Sequence, residues 1–482
     1  PVPSASDTAA PKYSMPPVIG PDPSSRAIAF YYGWYGNPEV DGKWIHWDDP
    51  KKPGTAPSDI QSDYFPELGA YSSSDEKVIA QQMAWIRSSG IGVIAVSYWP
   101  GETSDDRLSK LFAIANHYGI KVTFHIEPSA QRNNTSYADT VIGLYKKFGK
   151  EPAFFTTMAA GRYITSAKAH PMFFVWATSV SNIQGGTDVA QSYWVAGNDR
   201  IHNEIGALMI ACPGVGDYTS AILDGHFDGA YNYVTLHLSD EGYFSWWKAL
   251  PAGSLYIPSV IPGNSAKRVG YDPKTYVPRR NGAEYDEQWQ SAINVPVKPE
   301  FITITSWNEW HEGTAIEPAK ASYSSSSRSY DDFAPLSNTY YMSKTSEWIK
   351  NLEAKKYLPL SGQKIRLTVE TTSDWLDLEL LKGDLIQPES FTTAGALTRA
   401  SFTGTHFYAN QSIDNASANK SISMKLIATS LENVLTVKAD MGAIGTTKLI
   451  IEIYDGGNWI KKNELSWSGT SSNGSVFSAS LN

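Results

Sequence analysis

Cysteine is almost absent from the chain. Cys212 is the single one, so no intramolecular disulfide can form. A chain of 482 residues can bury a core large enough to do without such staples. Cys212 closes the apolar run Ala207–Cys212, which marks it as buried filler. No run of roughly 18 apolar residues occurs, which excludes a membrane-spanning helix. Positive charge is not in excess either. The formal net charge is −9 and no basic stripe is present, which argues against a nucleic-acid partner. No glycine-rich phosphate turn follows the first strand-like run, and no His-Glu-x-x-His spacing occurs. Neither a nucleotide cofactor nor a catalytic metal is therefore expected.

Aromatic residues, by contrast, are abundant. They make up 12% of the chain and include 16 Trp, more indole than a core requires. Sugar rings present apolar C–H faces that stack on such side chains, so a carbohydrate partner is the expectation. Residues Pro1–Pro23 are rich in Pro, Ser and Ala. The stretch 1–25 reads as a flexible leader left behind by a removed export signal or lipid-anchor segment.

From about Arg26 to Lys350, short apolar runs alternate with amphipathic stretches. The runs are Ala27–Tyr32, Gly92–Tyr98, Lys121–Glu127, Met172–Ala177, Ala207–Cys212, Gly229–Tyr233, Leu255–Val260 and Phe301–Ser306. Helical patterns fall between them at Asp75–Ser88, Asp105–Tyr118 and Tyr137–Phe148, the first two opening on an Asp suited to an N-cap. Strand–helix repetition on this scale predicts an α/β fold, a (β/α)₈ TIM barrel over residues 26–360. Beyond Leu358–Gly362 the pattern changes to short alternating runs such as Ile365–Glu370, Val434–Lys438 and Lys448–Tyr454, joined by Ser, Thr, Asn and Gly. Residues 361–482 are expected to form a smaller all-β sandwich, either a carbohydrate-binding module or a structural appendage. Trp375, Trp459 and Trp467 are its stacking candidates.

Polar and aromatic residues cluster at the C-terminal ends of the barrel runs, the face on which TIM barrels carry their sites. The last run leads into Ser306-Trp307-Asn308-Glu309-Trp310-His311-Glu312-Gly313. Glycoside hydrolysis needs a proton donor to the leaving oxygen and a second carboxylate on the sugar side. Two Glu three residues apart, where a strand turns into a loop, can reach one pocket. In aromatic, partly desolvated surroundings their proton affinities are pushed apart, as acid and base roles require. Glu309 and Glu312 are therefore the expected catalytic residues.

The chain also resembles a known family, glycoside hydrolase family 99, the endo-α-1,2-mannosidases and endo-α-1,2-mannanases. The resemblance is carried in order by Phe30–Pro38 with Asp41–Trp47, Tyr64–Ser73, Val122–Pro128, Phe227–Tyr231, Ile257–Val260 and Ile304–Thr314. It implies an endo-acting retaining α-glycosidase that cleaves an α-mannan or a related polysaccharide through a 1,2-anhydro sugar, and the departures given below are compatible with an anionic one. Glu309 would take the proton of the 2-hydroxyl, and Glu312 would serve as acid and then base. It implies that Glu127 holds sugar hydroxyls, that Trp99 lies at the −2 subsite, and that Tyr32, His125 and Tyr231 line the pocket. His46, Trp307 and Asn308 are the further substrate-binding candidates.

The chain departs from the family pattern at Ser129, where Tyr is usual, at Pro262–Arg268, at Val234–Leu238 and at Ala315. Arg268, Lys267, His237 and Arg132 are then candidates to meet anionic substituents. A secreted, periplasmic or bacterial cell-surface monomer is expected. The rival from another class is a non-catalytic cell-surface glycan-binding protein.

Overall fold

The computed structural model describes residues 14–354 apart from residue 21 and the stretches 49–55, 129–131, 166–167, 179–189, 214–222, 234–235, 239–241, 244–245, 247–248, 271–275 and 295–298. Between residues 364 and 480 it describes the backbone of ten strands. The chain divides into two compact units. One comprises Pro1–Ser239, Trp246–Ala292 and Pro299–Leu352, and the other Asp240–Ser245, Ile293–Lys298 and Glu353–Asn482.

The first unit is built on parallel strands. They are β1 (Ser24–Tyr31), β2 (Ile91–Tyr98), β3 (Lys121–Ile126), β4 (His170–Val175), β5 (Leu208–Ala211), β6 (Gly229–Tyr231), β7 (Leu255–Ile257), β8 (Ser259–Val260) and β9 (Ile302–Ile304). In sheet order they run β7-β6-β5-β4-β3-β2-β1-β9-β8. The two ends of this order, β7 and β8, are consecutive in the chain and separated only by Pro258. Pro258 has no N–H to give a ladder, and its ring interrupts what reads in the sequence as the single run Leu255–Val260. The N-terminal half pairs with β6 and the C-terminal half with β9. The sheet is thus a nearly closed parallel barrel. Its strands are buried on both faces, as expected where helices cover the outside.

Helices α1 (Glu76–Ser88), α2 (Asp105–His117), α3 (Asn134–Phe148), α4 (Ala190–Ile205), α5 (Ala283–Asn294) and α6 (Tyr340–Ala354) lie between or after the strands. Asp75 does cap α1, accepting from Lys77 N. The cap of α2 is Ser104 rather than Asp105, and it makes no side-chain cap bond. Helix α3 starts a turn before Tyr137 because Asn133 and Ser136 form a reciprocal capping box. None of the described helices is long and apolar enough to cross a membrane.

The second unit carries two antiparallel five-stranded sheets. One has the order Ile386–Ser390, Lys420–Leu426, Lys364–Thr371, Thr446–Asp455, Asn458–Ser468. The other has Leu397–Thr403, His406–Gln411, Trp375–Lys382, Val434–Met441, Ser475–Ser480. The side chains of Trp375, Trp459 and Trp467 lie outside what the structure describes.

Candidate active site

Alternation along a strand decides which side chains enter the barrel mouth. Phe30 in β1 and Tyr32 just past its end face the interior, whereas Tyr31 points outward and donates to Gln82 Oε1 on α1 at 2.6 Å. The inward positions at the end of β3 are His125 and, just beyond it, Glu127; at the end of β6 they are Tyr231 and, beyond it, Tyr233. The Phe30 ring packs 4.7 Å from His125, 5.4 Å from Tyr231 and 5.2 Å from Tyr233, centroid to centroid. These rings floor the pocket and keep water from its base.

Glu309 and Glu312 stand above that floor on the turn that follows β9. Ser306 N donates to Thr314 O at 3.1 Å, and Glu317 N to Trp307 O at 2.9 Å, closing the turn at its neck. Inside it, Glu309 N donates to Ser306 Oγ at 2.7 Å and His311 N to Glu309 Oε1 at 3.0 Å. Gly313 takes φ +62°, and a Cβ there would meet Ser265 O at 2.5 Å. Only glycine fits that reversal, which turns Glu312 back beside Glu309.

Glu309 is buried and Glu312 half-buried. Desolvation raises the Glu309 carboxyl well above the usual range, and the neighbouring Glu312 charge adds to it. Glu312 is pushed up to about 7, again chiefly by desolvation, while a hydrogen bond from Tyr233 pulls the other way. Tyr233 OH lies 3.2 Å from Glu312 Oε2 and 2.6 Å from Tyr32 OH. The Tyr32 phenol is itself raised by burial and then by Glu309, Glu127 and Glu312 together, so all three carboxylates share one pocket.

The other expected residues fall as follows. Glu127 is buried and accepts from Ser97 Oγ at 2.8 Å. His125 Nε2 meets Tyr231 OH at 2.5 Å, while its Nδ1 lies 3.2 Å from Glu127 Oε1 without hydrogen-bond alignment. Trp99 is half-exposed and, with Glu127, Pro128, Glu102 and Arg132, lines a cavity of about 640 Å³. His46 takes a left-handed backbone (φ 59°), stacks on Trp34 at 4.6 Å, and its carbonyl accepts from His311 Nε2 at 2.5 Å. Trp307 and Asn308 are fully buried. Asn308 acts as a bracket: it accepts from Tyr32 N at 2.7 Å and donates to Tyr32 O at 2.9 Å and Tyr71 OH at 3.1 Å.

The cationic candidates already have partners within the chain. Arg132 donates to the carbonyls of Trp176 (2.7 Å) and Ala177 (2.6 Å). Arg268 pairs with Asp59 at 2.5 Å, and His237 with Glu284 at 2.8 Å. Lys267 lies over the Tyr276 ring. His237, Glu284 and Glu287 could converge on a metal ion, but Arg280 bonds both carboxylates and supplies the positive charge there.

Tyr233 closes the expected run Gly229–Tyr233 at a strand end, but its bond to Glu312 could not be read from that run. Two further groups were not expected at the site. Glu317 is fully buried and accepts from Tyr71 OH (2.9 Å), Gln82 Nε2 (2.9 Å) and Trp310 Nε1 (3.2 Å), anchoring the far end of the turn. Arg279 donates to backbone carbonyls of the same turn. Apart from Trp310, the partners of Glu317 and Arg279 lie far off in sequence, so spacing could not reveal them.

The model of glycosyl hydrolase family 99 matches residues 24–354, which contain this whole site. The chain belongs to glycosyl hydrolase family 99. It is a glycoside hydrolase. Among the relatives of this family 99 chain is a glycoprotein endo-alpha-1,2-mannosidase of Xenopus laevis, 33% identical over 70% of this chain and 79% of that one. The Mus musculus protein of the same name is 32% identical over 68% of this chain and 75% of that one. Among solved structures, the family 99 endo-alpha-mannosidase of Bacteroides thetaiotaomicron aligns with a TM-score of 0.59 at 30% identity, covering 69% of this chain and 98% of that one.

Proposed function

We propose that this family 99 chain is an endo-acting, retaining α-mannan hydrolase with Glu309 and Glu312 as its catalytic pair. The observation that carries the reading is the pair itself. Two carboxylates sit on one closed turn above an aromatic floor, each driven toward its protonated form, one sealed in and one partly open to solvent. Such a pair holds a single proton over a broad pH range, and the proton belongs to the two groups jointly. A binding pocket gains nothing from two crowded carboxylates. An acid–base reaction needs them.

The proposed reaction runs in two steps. Glu309 takes the 2-hydroxyl proton of the sugar in the −1 subsite, and the freed oxygen attacks C1. The C1–O bond to the departing sugar breaks as Glu312 protonates the leaving oxygen. A water molecule then attacks C1 of the 1,2-anhydro sugar and gives its proton to Glu312, while Glu309 returns a proton to O2. The reactive form is the one in which the shared proton lies on Glu312, leaving Glu309 ionised to act as the base. Glu312, near 7, can both give and take a proton at neutral pH.

Glu127 and the His125–Tyr231 pair would hold hydroxyls of the −1 and −2 sugars, with Trp99 as the stacking wall. The β sheets of the second unit are proposed to form a sandwich that keeps the enzyme on its polymer, and a place outside the cytoplasm is proposed as the one that suits a polymeric substrate. The test is incubation with yeast-type α-mannan and a panel of anionic polysaccharides, scored for new reducing ends. Release of oligosaccharides from α-mannan is expected. Tight glycan binding with no new reducing ends on any polymer would favour the non-catalytic alternative.

A further inference from the structure

The turn that carries Glu312 is held from outside by a second loop, and the contacts concentrate on the residues just after the carboxylate. The second loop pairs with itself where Asn264 N donates to Val277 O (2.9 Å) and Val277 N to Asn264 O (3.0 Å). From one arm of this pair, Ser265 N donates to Glu312 O at 2.8 Å. From the other, Arg279 Nη2 donates to Gly313 O at 2.9 Å and to Ala315 O at 2.7 Å. The Arg279 guanidinium sits in a cage of three rings, 4.8 Å from the centroid of Tyr64 and 4.6 Å from those of Phe333 and Tyr341.

Among the described residues no carboxylate pairs with this guanidinium. Its charge is met by two carbonyl dipoles and three ring faces. Burying a cation this way carries a desolvation cost that ring faces offset only in part. An apolar side chain would fill the same cage without that cost. It could not hold two carbonyls in place.

We propose that Arg279 is a positioning residue for the hydrolysis, fixing the Gly313 and Ala315 peptides and thereby the aim of the Glu312 carboxylate. The inference rests on Glu312 as the acid and base of the reaction. The hydrogen bonds of Arg279 go to backbone carbonyls of the turn and not to the carboxyl groups of Glu309 or Glu312. Arg279 acts through the turn, where a Cβ on Gly313 would already meet Ser265 O at 2.5 Å. A displacement of roughly 1 Å at a proton donor is enough to lower a rate on the order of a hundredfold.

The experiment compares Arg279→Ala, Arg279→Lys and Arg279→Met in the full chain, with kcat and KM on an α-1,2-linked manno-oligosaccharide and the Tm of each variant. Arg279→Met, which refills the cage, keeps the comparison open should the alanine variant fold poorly. The expected result is a fall in kcat on the order of a hundredfold with KM within about threefold, since only transition-state alignment is lost. Arg279→Lys stays impaired, because its ammonium ends one bond short of Nη2. Methylguanidinium, entering the empty ring cage, restores kcat of Arg279→Ala by roughly tenfold or more and leaves wild type and Glu312→Gln unchanged.

Wild-type kcat in a folded Arg279→Ala or Arg279→Met variant overturns the proposal, as does a loss confined to KM or one that methylguanidinium does not relieve. In those cases an inactive Glu312→Gln leaves the catalytic assignment standing. An active Glu312→Gln removes the assignment itself, whatever Arg279 does.

Discussion

Replacing Tyr233 by Phe removes one hydroxyl from the pocket and keeps the ring that packs on Phe30, His125 and Trp176. The lost bond is the one from Tyr233 OH to Glu312 Oε2, at 3.2 Å. That bond favours the charged carboxylate and so holds its proton affinity down. A hydrogen bond to a charged group contributes about 1.5–3 kcal/mol, and this one is long, so the low end applies. About 1.5 kcal/mol corresponds to roughly one pH unit. Glu312 starts at about 7 and in Tyr233→Phe should titrate about one unit higher. The protonated acid form then survives to higher pH. The alkaline limb of kcat/KM, which reports the free-enzyme pair, moves up by about one unit. Tyr32 also loses its 2.6 Å partner, so kcat at the optimum falls by roughly tenfold. The assay is kcat/KM for wild type and Tyr233→Phe across pH 4–10 on one α-1,2-linked substrate. An alkaline limb that stays in place, or moves to lower pH, refutes the reasoning.

Other outcomes follow from the same geometry. Glu317 is fully buried and raised to about 7, so the folded state binds its proton more tightly than the unfolded chain does. Stability is then greatest below the ordinary carboxylate range and declines as pH rises toward 7, by about 3 kcal/mol from this group. Glu317→Gln should flatten that decline and raise Tm at pH 8, measured by calorimetry at both ends of the range; an unchanged slope would count against it. Gly313→Ala forces a side chain onto Ser265 at positive φ and should cost about 2–4 kcal/mol of stability in denaturant unfolding, with an additional loss of kcat. A substrate with a 2-deoxy sugar in the −1 position has no internal nucleophile. It should bind but not turn over, and measurable hydrolysis would exclude the anhydro route.

Much of the barrel could be read from the sequence because each buried strand is a short apolar run with Gly or Pro at its edge. The strands Ile91–Tyr98 and Lys121–Ile126 differ from the expected runs by a single residue at one end. The split at Pro258 was not legible, since a proline inside an apolar run looks like an irregularity until both neighbours of the strand are known. Glu309 and Glu312 could be found because the turn that joins them is local and its aromatic setting is written beside them. Trp307 and Asn308 sit in the same run, yet both are fully buried, for proximity in sequence does not say which side chains face a cavity. Apart from the Trp310–Glu317 bond, Tyr233, Glu317 and Arg279 act through partners 34 to 246 residues away. Only the closed barrel brings those partners together.

The two carboxylates carry the proposed reaction. The decisive measurement is kcat/KM of Glu309→Gln and Glu312→Gln against wild type on an α-1,2-linked manno-oligosaccharide, with folding checked by Tm. Each variant is predicted to remain folded and to lose on the order of a thousandfold, about 4 kcal/mol of transition-state stabilisation. Activity within tenfold of wild type in either one would contradict it.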